Sequence, residues 1–201
     1  MKIKVTIFLI LITTLIILIN FTNKDNEIYY VNIDSTNSLE YNNIITNQLI
    51  KTKKLEKNVN KFSKKDYRTT DLIRDIKDNK KIENQTIQNA LIKADILTIY
   101  IGINDINYKI GDNSKENLYN YTDQVLLDIE ELLKLVKIYC KEKIYVIGYK
   151  NEIGISYNDY FEYTNKRLKA ICDEYKMEFI NINKKDDITN IVSETVLKDI
   201  Y

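Results

Sequence analysis

The sequence predicts an α/β domain built on a parallel sheet with helices on both faces. Three observations carry this expectation. Short β-branched runs alternate with helix-period runs along most of the chain, the order that produces a three-layer sandwich. Two of the runs, Ile96–Ile101 and Lys143–Gly148, are apolar almost throughout, as strands are when both sheet faces are covered. No internal repeat and no domain-sized linker interrupts the alternation.

The elements follow in order. Ile28–Ile33 is β-rich and reads as a first strand that ends at Asp34-Ser35-Thr36. Leu39, Ile44, Ile45, Leu49 and Ile50 place an apolar stripe on a helix from about Ser38 to Lys51. A weak strand is expected near Leu55–Phe62. Thr70 or Asp71 is placed to cap a helix that carries Leu72, Ile73 and Ile76. A further helix covers Ile87–Lys93 and leads into the strand Ile96–Ile101. An amphipathic helix is expected over Tyr121–Cys140, a strand over Lys143–Gly148, a helix over Tyr157–Tyr175 and a last strand over Glu178–Ile182. Ile188, Ile191, Val192, Val196, Leu197 and Ile200 then share one face of a closing helix.

The 201 residues fit one domain and an anchor, divided as 1–22, a tether at 23–27 and a folded domain at 28–201. Val5 to Phe21 is uncharged and would span about 25 Å as a helix, at the low end of what crosses a bilayer. Lys2 and Lys4 precede it, which favours a cytoplasmic N-terminus. No small-residue cleavage site follows, so the reading is an uncleaved signal anchor with the domain outside the membrane. With 30 Lys+Arg against 29 Asp+Glu there is no basic face, and nucleic acid is not an expected partner. The skew toward Ile, Asn, Lys and Tyr fits AT-rich coding. The 16 tyrosines read first as β-formers and core residues, with carbohydrate binding as the alternative. The lysines of 51–57 and 61–65 read as solvated faces, with weak attraction to anionic lipid or wall polymer as the alternative. Cys140 and Cys172 read as buried free thiols in helical segments.

Two segments stand at strand ends, where parallel α/β sheets place their sites. Asp34-Ser35 follows the first strand. Gly102-Ile103-Asn104-Asp105 follows the strand Ile96–Ile101, and Gly102 lets the backbone turn tightly there. Taken alone, each is also an ordinary turn sequence.

Taken together, these blocks resemble the SGNH (GDSL-type) hydrolases. The resemblance spans most of 28–183. It implies a flavodoxin-like, SGNH-type three-layer sandwich and a serine acylhydrolase of the esterase or lipase kind. Ser35 stands at the nucleophile position, next to Asp34, with Ile33 where the family has glycine. Asn104 stands at the oxyanion position, with Gly102 and Asp105 in support. In the second block Lys61–Leu72 occupies the place of a glycine-rich run. There Ser63 and Asp66 hold the glycine positions, and Asp66 stands where a backbone N–H would face the oxyanion. The fourth block, Asp-x-x-His, is lost: Asp186 and Asp187 lie near its place, but the chain has no histidine at all.

A serine at its normal pKa is a weak nucleophile without a base. The expectation is therefore an anchored esterase-like domain with impaired or lost hydrolysis. A non-catalytic surface domain that holds an acylated glycan, a lipid or a partner on the same fold is the alternative. A desolvated lysine is the conceivable substitute base. No cofactor or metal is implied. Dinucleotide binding lacks its Gly-x-Gly-x-x-Gly loop.

Overall fold

The computed structural model describes residues 27–36, 40–110, 115–182 and 187–201. The expected anchor at 1–22, most of the tether, and Asp186 lie outside them. Among the described residues no helix is long and apolar enough to cross a membrane.

Five parallel strands form the central sheet: β1 (Ile28–Asp34), β2 (Leu55–Val59), β5 (Ile96–Tyr100), β6 (Lys143–Ile147) and β7 (Glu178–Ile180). Their order is β2-β1-β5-β6-β7, so the chain reverses direction across the sheet at the β1/β5 junction. In doubly wound sheets a crevice opens outside the carboxyl ends at that point. Along the junction Tyr30 pairs with Ile96 and Asp34 with Tyr100, which brings the ends of both strands level. All five residues of β5 are buried, as are the last six of β1.

Helix α1 (Glu40–Lys51) and the closing helix α7 (Ile188–Lys198) pack together. Helices α2 (Thr69–Lys77), α3 (Ile87–Lys93), α4 (Ile103–Ile110), α5 (Lys115–Tyr139) and α6 (Asn158–Glu174) supply the remaining helical cover, with α2, α3, α4 and α6 each against α5. A small antiparallel hairpin, β3 (Lys81–Ile82) with β4 (Gln85–Thr86), joins α2 to α3. Cys140 and Cys172 are free and buried.

Several boundaries differ from the sequence expectation. β2 stops at Val59 and β7 at Ile180, because the chain beyond each leaves the sheet to build loops. Gly102-x-Asn-Asp is not only a turn; it opens the helix α4, with Ile106 N–H donating to the Gly102 carbonyl at 3.1 Å. α5 starts at Lys115, earlier than its apolar stripe suggested. Neither Thr70 nor Asp71 caps α2: the helix begins at Thr69, and its cap comes from another element, described below.

A buried polar cluster lies on the β1/β5 seam. Thr98 Oγ1 donates to Asn32 Oδ1 at 2.7 Å, so Tyr30 O–H is the donor in its 2.9 Å bond to Thr98. All three residues are fully buried. Unpaired, such groups would cost about 1–3 kcal/mol each; paired, they fix the register of the two strands whose ends carry the site.

Gly102 is the tightest of the described glycines. Its φ of +97° is one that side chains rarely adopt, and a Cβ there would lie 2.5 Å from Tyr149 Oη and 2.7 Å from Ile129 Cδ1. Strain and overpacking each contribute on the order of 1–3 kcal/mol. Gly102→Ala is accordingly expected to lower stability by about 2–4 kcal/mol, read as a lower urea midpoint.

A candidate active site with its donors turned inward

The crevice at the β1/β5 switch point is assembled from three loops. The first is the end of β1, Asp34-Ser35-Thr36. Asp34 is fully buried, and its carboxylate accepts from Thr36 N–H at 2.6 Å, from Thr36 Oγ1 at 2.7 Å and from Tyr41 O–H at 2.8 Å. Desolvation lifts its pKa above the ordinary 3.8, against the lowering by these hydrogen bonds. Asp34 therefore fixes the turn and anchors α1, and both its oxygens are engaged.

Ser63 belongs to the second loop, 60–68. Its hydroxyl donates to the Asn32 carbonyl at 3.1 Å and accepts from Asp34 N–H at 2.9 Å and Asn32 Nδ2 at 3.4 Å. With its single proton committed, Ser63 is a clamp on β1 and not a second nucleophile. Lys64 N–H adds a bond to the Asp34 carbonyl at 3.0 Å. Asp66 then takes φ +60°, the left-handed conformation that glycine adopts without a Cβ penalty.

The third loop is Gly102–Asp105. Asp105 is buried, and its Oδ2 accepts from Thr69 N–H at 3.0 Å and Thr69 Oγ1 at 2.9 Å. This is the missing cap of α2: the carboxylate from α4 satisfies an orphan N–H at the start of α2 and meets its positive dipole end. Asp105 thus braces the second loop to the third.

The fold brings Ser35, Asp66 and Asn104 together, and their donors converge on the protein itself. Ser35 N–H donates to the Tyr100 carbonyl at 3.0 Å. Asp66 N–H donates to the Ser35 carbonyl at 3.1 Å. The Asn104 carboxamide donates to the same Ser35 carbonyl at 2.9 Å and to the Tyr67 carbonyl at 3.1 Å. An oxyanion hole needs such donors aimed at an empty position in the pocket; here each one already holds a backbone oxygen.

Ser35 is itself fully buried, and its Oγ has no hydrogen-bond partner among the described residues. Ile33, at the family's glycine position, is fully buried in the core. Asp187, near the place of the lost fourth block, caps α7 by accepting from Thr189 N–H at 2.9 Å. The cavity over this crevice measures about 170 Å3 and is lined by Thr36, Tyr41, Tyr100, Asn104, Lys150 and Glu152 among others, but not by Ser35. Tyr41 and Tyr100 are held well above the ordinary tyrosine range, chiefly by burial, so both phenols stay protonated and neither is a base at neutral pH.

Known structures share this architecture. An acetylxylan esterase from Geobacillus stearothermophilus is similar over 85% of this chain and 92% of its own, with TM-score 0.59 and 14% identity. A lipase from a goat rumen metagenome is similar over 76% and 79%, with TM-score 0.60 and 13% identity. The fold is SGNH-like. A further acetyl xylan esterase matches over 84% of each chain, with TM-score 0.56 and 10% identity. Catalytic mutants of the Geobacillus enzyme carry alanine in place of a serine, an aspartate or a histidine. No protein-family model and no curated protein matches the sequence.

Sequence reasoning missed Asn32 and Thr98, and it placed Ser63 and Tyr67 in the second block without their bonding roles. For Asn32 and Thr98 the available signal was a polar residue inside an otherwise apolar strand, which marks a buried hydrogen-bond network.

Two outcomes follow from the geometry. Asp105→Ala leaves Thr69 N–H and hydroxyl without their buried acceptor and is expected to cost about 2–3 kcal/mol in urea unfolding. For Asp34 the folded pKa is raised, so its contribution to stability is fully present below pH 3.8 and is lost as pH rises through the raised value. The stability of the wild type relative to Asp34→Asn should therefore fall across that window, read as converging or crossing urea midpoints of the two proteins.

Proposed function

We propose that this chain is a membrane-anchored domain outside the cell membrane that uses an esterase fold to hold a ligand without hydrolysing it. The ligand class is an acylated glycan or a lipid, the chemistry on which the resembling enzymes act. The observation that carries the reading is the occupancy of the donors: Ser35 N–H, Asp66 N–H and the Asn104 amide all serve backbone carbonyls.

Magnitudes favour this over a weakened enzyme. A triad that has lost its base still gains roughly 10³–10⁴ over water from the oxyanion hole and binding. Each oxyanion donor removed takes away a further 10²–10³ or so. With no histidine in the chain and the donors engaged, that residual has no source. The enclosed Ser35 hydroxyl adds a steric barrier to any acyl group.

The expected result is that purified protein hydrolyses p-nitrophenyl acetate no faster than its Ser35→Ala variant. A fluorophosphonate probe should also leave Ser35 unlabelled. Turnover that vanishes in Ser35→Ala, or labelling of Ser35, would overturn the proposal and restore the hydrolase.

A further inference from the structure

A second, large cleft lies away from the serine crevice, beyond the carboxyl ends of β6 and β7. It measures about 590 Å3, within the roughly 300–1,000 Å3 of small-molecule sites. Its walls come from Tyr149 and Asn151 after β6, from one face of α6, and from Phe179, Asn181 and Ile182.

The frame of this cleft is built and closed on itself. Asn165 is buried and clamps Tyr149 from both sides, accepting from its N–H at 2.8 Å and donating to its carbonyl at 2.8 Å. Gly148 allows this approach: a Cβ there would lie 2.8 Å from Phe179 Cζ and 3.0 Å from the Ile180 carbonyl. The Asn151 carboxamide ties the rim, accepting from Ile153 and Gly154 N–H at 3.1 and 3.2 Å and donating to the Gly154 carbonyl and Asn158 Oδ1, both at 2.7 Å. Asn151 and Asn165 are thus structural, and the cavity wall is preorganised, which lowers the entropy cost of binding.

Other polar groups on the wall are available. Glu162 and Lys166 are exposed and form no salt bridge with each other or with any other described residue. Asn158 takes a bond at Oδ1 only, which leaves its amide N–H groups as donors. Lys169, by contrast, is held by Asp173 at 2.6 Å. Beside these groups, Phe161, Phe179 and Ile182 give an apolar floor.

We infer that this cleft is the ligand site of the protein and takes a neutral saccharide, with Glu162, Lys166 and Asn158 as its polar contacts. The chemistry selects that class. A free carboxylate, a free ammonium and a carboxamide donor present acceptors and donors side by side, as ring hydroxyls require. The apolar floor receives the C–H face of a sugar ring. Opposite charges one helical turn apart leave the cleft near neutral, which disfavours a phosphate or another strongly charged ligand. The inference rests on the reading that the domain binds without cleaving, and it moves the binding from the serine crevice to the β6–β7 end of the sheet.

The test is calorimetric titration of the full-length protein in detergent with xylotetraose, cellotetraose and chitotetraose. At least one should bind with a Kd of roughly 1 mM or tighter. Glu162→Gln and Lys166→Met should each weaken it about tenfold, the loss of a hydrogen bond to a charged group; both positions are exposed and substitution there leaves the core intact. Absence of binding by all three sugars overturns the assignment. So does binding that ignores both variants, or that is lost in Lys150→Met, which would place the sugar in the serine crevice. Release of product during titration would instead overturn the non-hydrolytic reading, while the variants still report which cleft holds the sugar.

Discussion

The carbonyl oxygen of Ser35 joins three segments that are far apart in sequence. It accepts from Asp66 in the loop after β2 and from Asn104 at the start of α4, while the N–H of the same residue reaches Tyr100 at the end of β5. Remove that acceptor and Asp66 N–H loses its partner, while the Asn104 amide keeps only the Tyr67 carbonyl. The loops would then be tied by Ser63 and Lys64 to the end of β1, by Asn104 to Tyr67 and by Asp105 to Thr69. The same three donors cannot both hold the backbone and face a pocket. Whether the crevice is a structural joint or an oxyanion hole is decided by where one carbonyl points.

The charge placed around this joint agrees with a structural role. Asp34 sits below it, fully buried and committed to Thr36 and Tyr41. Asp105 sits beside it and caps α2. Asp66 is exposed and holds a left-handed backbone that a glycine would hold more cheaply. Lys150 and Glu152 line the cavity above these two buried carboxylates, and the chain has no histidine.

Much of the scaffold was legible because burial on both faces writes an unbroken apolar run. Ile96–Tyr100 and Lys143–Ile147 were readable for that reason. α4 was not, since Gly-x-Asn-Asp carries turn residues and its helix is only eight residues long. The hairpin β3–β4 has two-residue strands, too short for any period. At the crevice, Ser35 and Asn104 could be picked out as polar residues at strand ends. Their bonding could not, because a sequence gives a donor's identity and not its direction. Asn32 and Thr98 escaped, as did the clamping role of Ser63, because their partners lie across the sheet or in another loop. The large cleft was also hidden: Glu162, Lys166 and Asn158 look like an ordinary solvated helix face until the loop after β6 is placed beside them.

On the proposed reading, the missing base and the inward donors are linked. An oxyanion hole keeps donors unpaired toward a pocket, a standing cost to stability that function justifies. Once no histidine activates the serine, that cost returns nothing, and each donor turned onto a carbonyl gains about 1 kcal/mol. Turning them inward also closes the space over Ser35, so a histidine restored by mutation would face an enclosed hydroxyl and no place for the oxyanion. The cleft at β6–β7 uses none of these groups. Its frame rests on Asn165, Gly148 and Asn151, and its free side chains lie on α6. Binding there does not compete with the joint at Ser35, so the fold can keep a ligand site while the crevice that resembles an esterase site serves only to hold the sheet and its loops together.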